Sequence, residues 1–195
     1  MSKKFYNDFF KSGFHNDWRD APGKLVLIEF LKDSLNAPTF LLDVGCGDGY
    51  FLNAVINLFD AKSEINGYGI DISEEAIKLA KGFFPSLTFD VMDVKKLSFS
   101  ASSFDAVTSY GVFEHVKDPE RSIFEMSRVM KKNSCFAALI PTIGSYRQDR
   151  LDEGWYEDLN DPPQMQWNFN RQKWERFFVS AGLTLLPSKQ VEKYG

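Results

Sequence analysis

The stretch "TFLLDVGCGDGYFLNAV", Thr39 to Val55, decides the fold. An apolar run ends in Asp43, glycines stand at 45, 47 and 49, and an apolar-periodic segment then resumes. Glycines so spaced bend a strand sharply into a helix and let a ligand approach the bare backbone. The same strand-to-helix rhythm runs through the flanking sequence. Apolar runs "GYGIDI" (67–72), "LTFDVM" (87–92), "FDAVTSY" (104–110), "CFAALI" (135–140) and "LTLLPS" (183–188) read as strands. Helices are predicted over about 49–59, 73–83, 119–131 and 170–181. Ser73 is an N-cap followed by Glu74 and Glu75, and Pro119 sits in a first turn, both as helix starts require.

Strands that alternate with helices pair in parallel through right-handed crossovers. Continuous apolar runs fit strands covered on both faces. The predicted fold is therefore a Rossmann-like, doubly wound α/β domain with a mostly parallel sheet. One domain spans 1–195: an N-terminal helical cap (1–37), a ligand-binding core (38–140), a substrate loop or lid (141–169), and a last helix and strand (170–195). In the cap, Phe5, Phe9 and Phe10 are spaced like one face of a helix.

Composition narrows the partners. The chain has 195 residues, a formal charge of −4 and 15% aromatic residues, with 19 Phe. An acidic chain with dispersed lysine pairs is not a nucleic-acid binder. Cys46 and Cys135 have no CxxC partners, which excludes a zinc or disulfide framework and fits a reducing compartment. No run reaches transmembrane length and the first residues are not a signal peptide, so a cytoplasmic protein without membrane contact is expected.

Two cofactor classes compete for the glycine turn. Nicotinamide and flavin dinucleotides prefer G-x-G-x-x-G. Here Gly45, Gly47 and Gly49 form G-x-G-x-G, and Tyr50 follows Gly49. Asp43 beside the turn is awkward for a pyrophosphate but welcome to a cationic amino-acid moiety. The next strand ends in Asp71, placed to accept from ribose hydroxyls, and the third runs out at Asp93. Ligands of open parallel sheets bind outside these carboxyl ends. Three successive strand ends bearing Asp, together with the glycines, point to a bound nucleoside.

"LLDVGCGDGYF", "GIDIS", "MDVKKLSF", "FDAVTSYGVFEHVKDP" and "RVMKKNSCFAALIP" follow one another over about residues 38–141. In order and spacing they resemble the motifs of class I S-adenosylmethionine-dependent methyltransferases. The pattern is nearest to the ubiquinone-biosynthesis O-methyltransferases and related small-molecule and glycan enzymes. The resemblance implies S-adenosylmethionine as cofactor, S-adenosylhomocysteine as product, and a small-molecule or glycan acceptor. It implies that Asp43, Gly45, Cys46, Gly47 and Gly49 wrap the methionine part, that Asp71 holds the ribose, and that Ile72 packs on adenine. It implies that Asp93 and the backbone near Val94 hold the adenine amine, while Tyr110 and Gly111 flank the carboxylate and methyl group. A helix starting near Gly49 would add free N–H groups for that carboxylate.

His115, after the fourth strand, is the candidate general base, with Glu114 beside it to orient the ring or face the cofactor. Trp18, Tyr146, Trp155 and Tyr156 are candidates for an aromatic acceptor lid. No metal is expected: only His15 and His115 are present, and Tyr110-Gly111 lacks the earlier glutamate of the metal-dependent small-RNA methyltransferases. The resemblance to ubiquinone-type enzymes leaves weak divalent binding open. The position that matches a histidine of the glycan and small-molecule enzymes is Met165. The family fold also closes with an antiparallel strand hairpin, for which residues 183–195 leave little room. The sheet is then shortened, or the N-terminal segment compensates, or the chain is a fragment. Two other readings stay open: a cofactor-binding module without catalysis, and a nicotinamide oxidoreductase.

Overall fold

The computed structural model describes residues 2–13, 24, 27, 28, 31, 40–59, 64–143, 154–158 and 164–186. Five strands form one parallel sheet: β1 (Phe40–Val44), β2 (Asn66–Asp71), β3 (Thr88–Val91), β4 (Phe104–Tyr110) and β5 (Met130–Leu139). Their order is β3-β2-β1-β4-β5, so the winding reverses between β1 and β4. Above the carboxyl ends of those two strands the connections diverge and leave a crevice.

The helices with described bounds are α1 (Lys3–Ser12), α2 (Tyr50–Ile56), α3 (Glu74–Phe83), α4 (Pro119–Val129) and α5 (Arg171–Ser180), and residues 24, 27, 28 and 31 are helical as well. Successive residues of β1 point to opposite faces, which separates two apolar cores. Leu41 joins Phe51, Leu52, Val55, Ile77 and Phe89 in one. Leu42 and Val44 join Ile70, Val107, Phe113, Ile123 and Met126 in the other. This is the doubly wound arrangement predicted.

Three details differ from expectation. Helix α4 stops at Val129 and β5 begins at once with Met130, five residues before the apolar run at 135. Met130 pairs with Phe104, and the register then slips before Cys135 meets Ala106, with Asn133 at φ 63° in the bulged segment. Residues 183–186 form no strand, and Leu185 and Leu186 are exposed; residues 187 and 188 lie outside the described residues. The antiparallel hairpin comes earlier, inside the predicted lid. There β6 (Gly154–Asp158) and β7 (Gln164–Asn168) form a separate two-stranded sheet.

Helix α1 lies against α3. Ser2 caps it by accepting from the Phe5 N–H, and Gly13 ends it at φ 82°. The Asn7 Oδ1 accepts from the Ser73 hydroxyl at 2.8 Å, and Lys3 pairs with Glu74. These contacts bring the aromatic face of α1 over the crevice.

Candidate functional site

The crevice is a cavity of about 250 Å³ at the carboxyl ends of β1, β2 and β4. Of the predicted residues, Asp43, Gly45, Cys46, Gly47, Asp71, Ile72, Asp93, Val94, Tyr110, Gly111 and His115 all line it. Gly49 does not. A Cβ there would stand 2.8 Å from the Phe89 ring at φ 84°, so its bareness lets α2 approach β3. Gly45 is at φ 71°, and a Cβ on it would sit 2.2 Å from Val112 Cγ2. The turn is thus closed to side chains on the protein side while its backbone faces the cavity.

Asp71 does more than the sequence foretold. Its Oδ2 accepts from the Gly47 N–H at 3.0 Å and its Oδ1 from the Ser73 N–H at 2.8 Å. The carboxylate therefore ties the glycine turn to β2 while facing the cavity. Burial pushes its pKa up to about 6, and the N–H donors hold it from rising further, so it is ionised above neutrality. Asp71→Ala is expected to weaken S-adenosylhomocysteine binding by on the order of 1–3 kcal/mol and also to lower the unfolding midpoint of the ligand-free protein. Calorimetric titration and thermal unfolding read the two effects. An unchanged midpoint would mean the turn holds without its carboxylate.

Asp43, at the end of β1, is 1% exposed and accepts from the Thr108 hydroxyl at 2.8 Å. Asp93 accepts from the Lys95 N–H at 2.9 Å, beside the apolar Ile72, Met92 and Val94. Burial and the neighbouring carboxylates hold the Cys46 thiol well above its usual pKa. It is a lining atom and no nucleophile.

His115 sits in a single 3₁₀ turn, Phe113–His115, that follows β4. Its Nδ1 lies 3.0 Å from the Met165 carbonyl oxygen. A carbonyl only accepts, so Nδ1 carries the hydrogen and Nε2 is the lone-pair nitrogen. Burial pushes the ring's pKa down to about 4, against the pull of that carbonyl. The backbone of Met165 thus serves the ring although its side chain is not the family's histidine. The Trp167 indole donates to the Val116 carbonyl at 2.9 Å, a second tether between β7 and the turn. Glu114 Oε1 lies 3.9 Å from Nε2, and burial raises the Glu114 carboxyl to about 8.

On the acceptor side fewer of the predicted residues fall among the described ones. Trp155 packs edge-on against Trp167, ring centroids 5.1 Å apart, and is not a cavity residue. Tyr156 belongs to β6. Trp18, Tyr146 and His15 lie outside the described residues. Among the described residues no group of three His, Cys, Asp or Glu could hold a metal ion, and no helix is long and apolar enough to cross a membrane.

Sequence reading passed over Tyr6, Phe9 and Phe10 of α1, which line the cavity, and Lys24, Phe51 and Met92 beside them. The aromatic stripe of α1 was the one signal available for the first three. Lys24 carried none.

Asp43 and Asp71 at strand ends, Asp93 two residues beyond the end of β3 at Val91, a bare glycine backbone and apolar walls at Ile72, Met92 and Val94 fit a nucleoside that bears an amino acid. The family described as "Methyltransferase domain" matches residues 42–138. Ajmaline N-methyltransferase of Rauvolfia serpentina is 35% identical over 54% of this chain and 37% of its own length. Ubiquinone biosynthesis O-methyltransferase of Coxiella burnetii is 28% identical over 62% of this chain and 55% of its own length. The chain thus spans about half or less of the curated relatives it matches.

Among solved structures, a chain of the Haloferax volcanii complex between the Trm112 methyltransferase activator and a methyltransferase superposes with a TM-score of 0.72. It is 21% identical over 95% of this chain and 77% of its own. A SAM-dependent methyltransferase of Methanosarcina mazei gives 0.66, at 21% identity over 78% of this chain and 82% of its own. The fold is Rossmann-like, with the candidate site in the crevice at its switch point. Residues 42–138 match that methyltransferase-domain family, and the fold is the Rossmann-like one of the solved methyltransferases.

Proposed function

We propose that this chain transfers a methyl group from S-adenosylmethionine to a small-molecule or glycan acceptor, at oxygen, in the cytoplasm. The observation that carries the reading is one cavity that joins Asp43, Asp71 and Asp93 to the imidazole of His115. When bound, S-adenosylmethionine supplies an electrophilic methyl group on a sulfonium. Asp43 would hold the amino-acid end, Asp71 the ribose, and Asp93 with Ile72, Met92 and Val94 the base. Transfer at carbon is an in-line displacement, so these residues act by alignment and by excluding water. Tyr6, Phe9 and Phe10 supply that exclusion from above.

Relatives named for methylation at nitrogen, oxygen and carbon leave the accepting atom undecided by kinship. His115 supports oxygen. A neutral amine attacks without help, whereas a hydroxyl must lose its proton, and Nε2 in its lone-pair tautomer is the group to take it. The cavity runs from Asp93 to His115 as one space, which weighs against a binding module with a blocked acceptor side. The unpaired Cys46 and Cys135 support a reducing compartment.

Thermal unfolding with S-adenosylmethionine, S-adenosylhomocysteine, NAD and NADP tests the reading. Saturation at 100 times the dissociation constant stabilises by roughly 2.7 kcal/mol. That is expected to raise the midpoint by about 5–10 °C with the two adenosyl sulfur compounds only. A shift with NAD or NADP alone would overturn the assignment of the glycine turn.

A further inference from the structure

Rings that exclude water from the crevice also exclude the donor, unless the helix that carries them moves. That helix, α1, is held by its edge and not by the core: none of its residues is fully buried. Elements with few buried apolar contacts are the first to open. Yet its aromatic stripe lies on the site. Phe10 Cζ stands 3.1 Å from where a Cβ on Gly47 would be, so this ring covers the glycine turn. Burial, then the charges of Asp71 and Glu114, hold the Tyr6 phenol above its usual pKa, as befits a ring set down among the strand ends.

A second stripe, Lys3, Asn7 and Lys11, recurs every four residues along α1 and grips the start of α3. Asn7 Oδ1 accepts from the Ser73 hydroxyl at 2.8 Å and from the Glu75 N–H at 3.4 Å. Lys3 pairs with Glu74, and Lys11 Nζ lies 3.7 Å from Glu75 Oε1. Lys3, Glu74 and Lys11 are exposed, so these pairs are weak and screened by salt. Ser73 joins the grip to the site. Its N–H goes to Asp71 Oδ1, its Oγ accepts from the Ala76 N–H, and its hydroxyl holds Asn7. At its other end α1 stops at Gly13, φ 82°, where the backbone turns without the strain of a side chain.

We infer that α1 is a gate on the donor site, latched to α3 by Lys3, Asn7 and Lys11, and that donor and product pass only when the latch opens. The inference rests on the nucleoside reading above and adds how that site exchanges its ligand. The latch contacts α3 and not the ligand, so it holds α1 equally over an empty and a filled crevice. Weakening it therefore speeds entry and exit together and leaves affinity nearly unchanged. Loss of a side chain that only touches the ligand speeds exit alone.

The kinetics of S-adenosylhomocysteine binding to the full chain, read by surface plasmon resonance, test this. The probe is net neutral, so salt acts little on the encounter itself. Between about 50 and about 500 mM salt, both rate constants of the wild type are expected to rise about 3-fold. Asn7→Ala is expected to raise both by about 3- to 10-fold, the worth of one hydrogen bond, with the dissociation constant changed by less than about 3-fold. Lys3→Glu should raise both about 3-fold, and adding Glu74→Lys should bring them back. Faster dissociation alone in Asn7→Ala would overturn the proposal, since α1 would then be a wall that touches the ligand. Rates unmoved by salt would overturn it without any variant, by showing that another element limits exchange. A wild type that binds no S-adenosylhomocysteine would overturn the nucleoside reading itself, and this inference with it.

Discussion

Asp43→Asn is expected to stabilise the ligand-free protein at pH 8 and to weaken its binding of S-adenosylmethionine about 100-fold. Both effects come from one buried carboxyl. Asp43 is 1% exposed, and burial, reinforced by Asp71 and opposed by the Thr108 hydroxyl and Lys24, raises its pKa to about 7. In the unfolded chain the same group ionises near 3.9. A carboxyl whose folded pKa is raised helps stability fully below its unfolded value, and that help is lost as pH rises through the folded value. The wild type should therefore lose stability between about pH 4 and 7, by on the order of 3–4 kcal/mol from this group.

Asparagine removes the charge and still accepts from Thr108 through its carbonyl oxygen. The gain should be on the order of 2–4 kcal/mol at pH 8, a rise of roughly 5–10 °C in the midpoint, and should vanish near pH 4. Binding runs the other way. A ligand ammonium is stabilised by the ionised form, so wild-type affinity should climb as pH rises towards 7 and level off above, and the variant should lack the slope. Midpoints measured at pH 4 and 8, with titration calorimetry across the same range, read every part. An equal midpoint difference at both pH values would show that the charge of Asp43 is not what burdens the fold. Stability given up for a preorganised charge is a common trade at binding sites.

The parallel core was legible because buried strands leave an unbroken apolar signature. The run 104–110 coincides with β4, and "TFLLDV" differs from β1 by one residue. The strand-end aspartates were legible for the same reason, since a polar residue that closes an apolar run stands at the sheet's rim. What failed depended on contacts distant in sequence. "LTLLPS" has a strand's composition, but Leu186 is 63% exposed, and among the described residues no partner strand lies beside 183–186. The β6–β7 hairpin is polar and short, and its pairing is set by Trp155 opposite Trp167. The placement of α1 over the cavity rests on Asn7 meeting Ser73, 66 residues away. A lone lysine at position 24 gave no pattern at all.

His115 yields the second large effect. His115→Ala is expected to slow transfer by about 100-fold or more at saturating donor while leaving S-adenosylhomocysteine affinity nearly unchanged. The pH dependence separates a base from a packing residue. A histidine in water titrates near 6.5, but burial holds this ring neutral down to about 4. The base is the neutral form, so activity is lost only as pH falls through that lower value. Wild-type kcat should then be flat from about pH 5 to 7, with no inflection at 6.5. Above about 8 the Glu114 carboxyl gives up its proton and sets a negative charge 3.9 Å from Nε2, which favours the protonated ring and draws the base upward in strength. Saturating donor matters because Asp43, near 7, governs binding and so moves kcat/KM and not kcat. Rates of S-adenosylhomocysteine release against an acceptor found by screening supply the profile. A kcat that bends at 6.5 would place the ring in water, away from the Met165 carbonyl. Full activity in His115→Ala would reduce the residue to a strut between the turn after β4 and the hairpin.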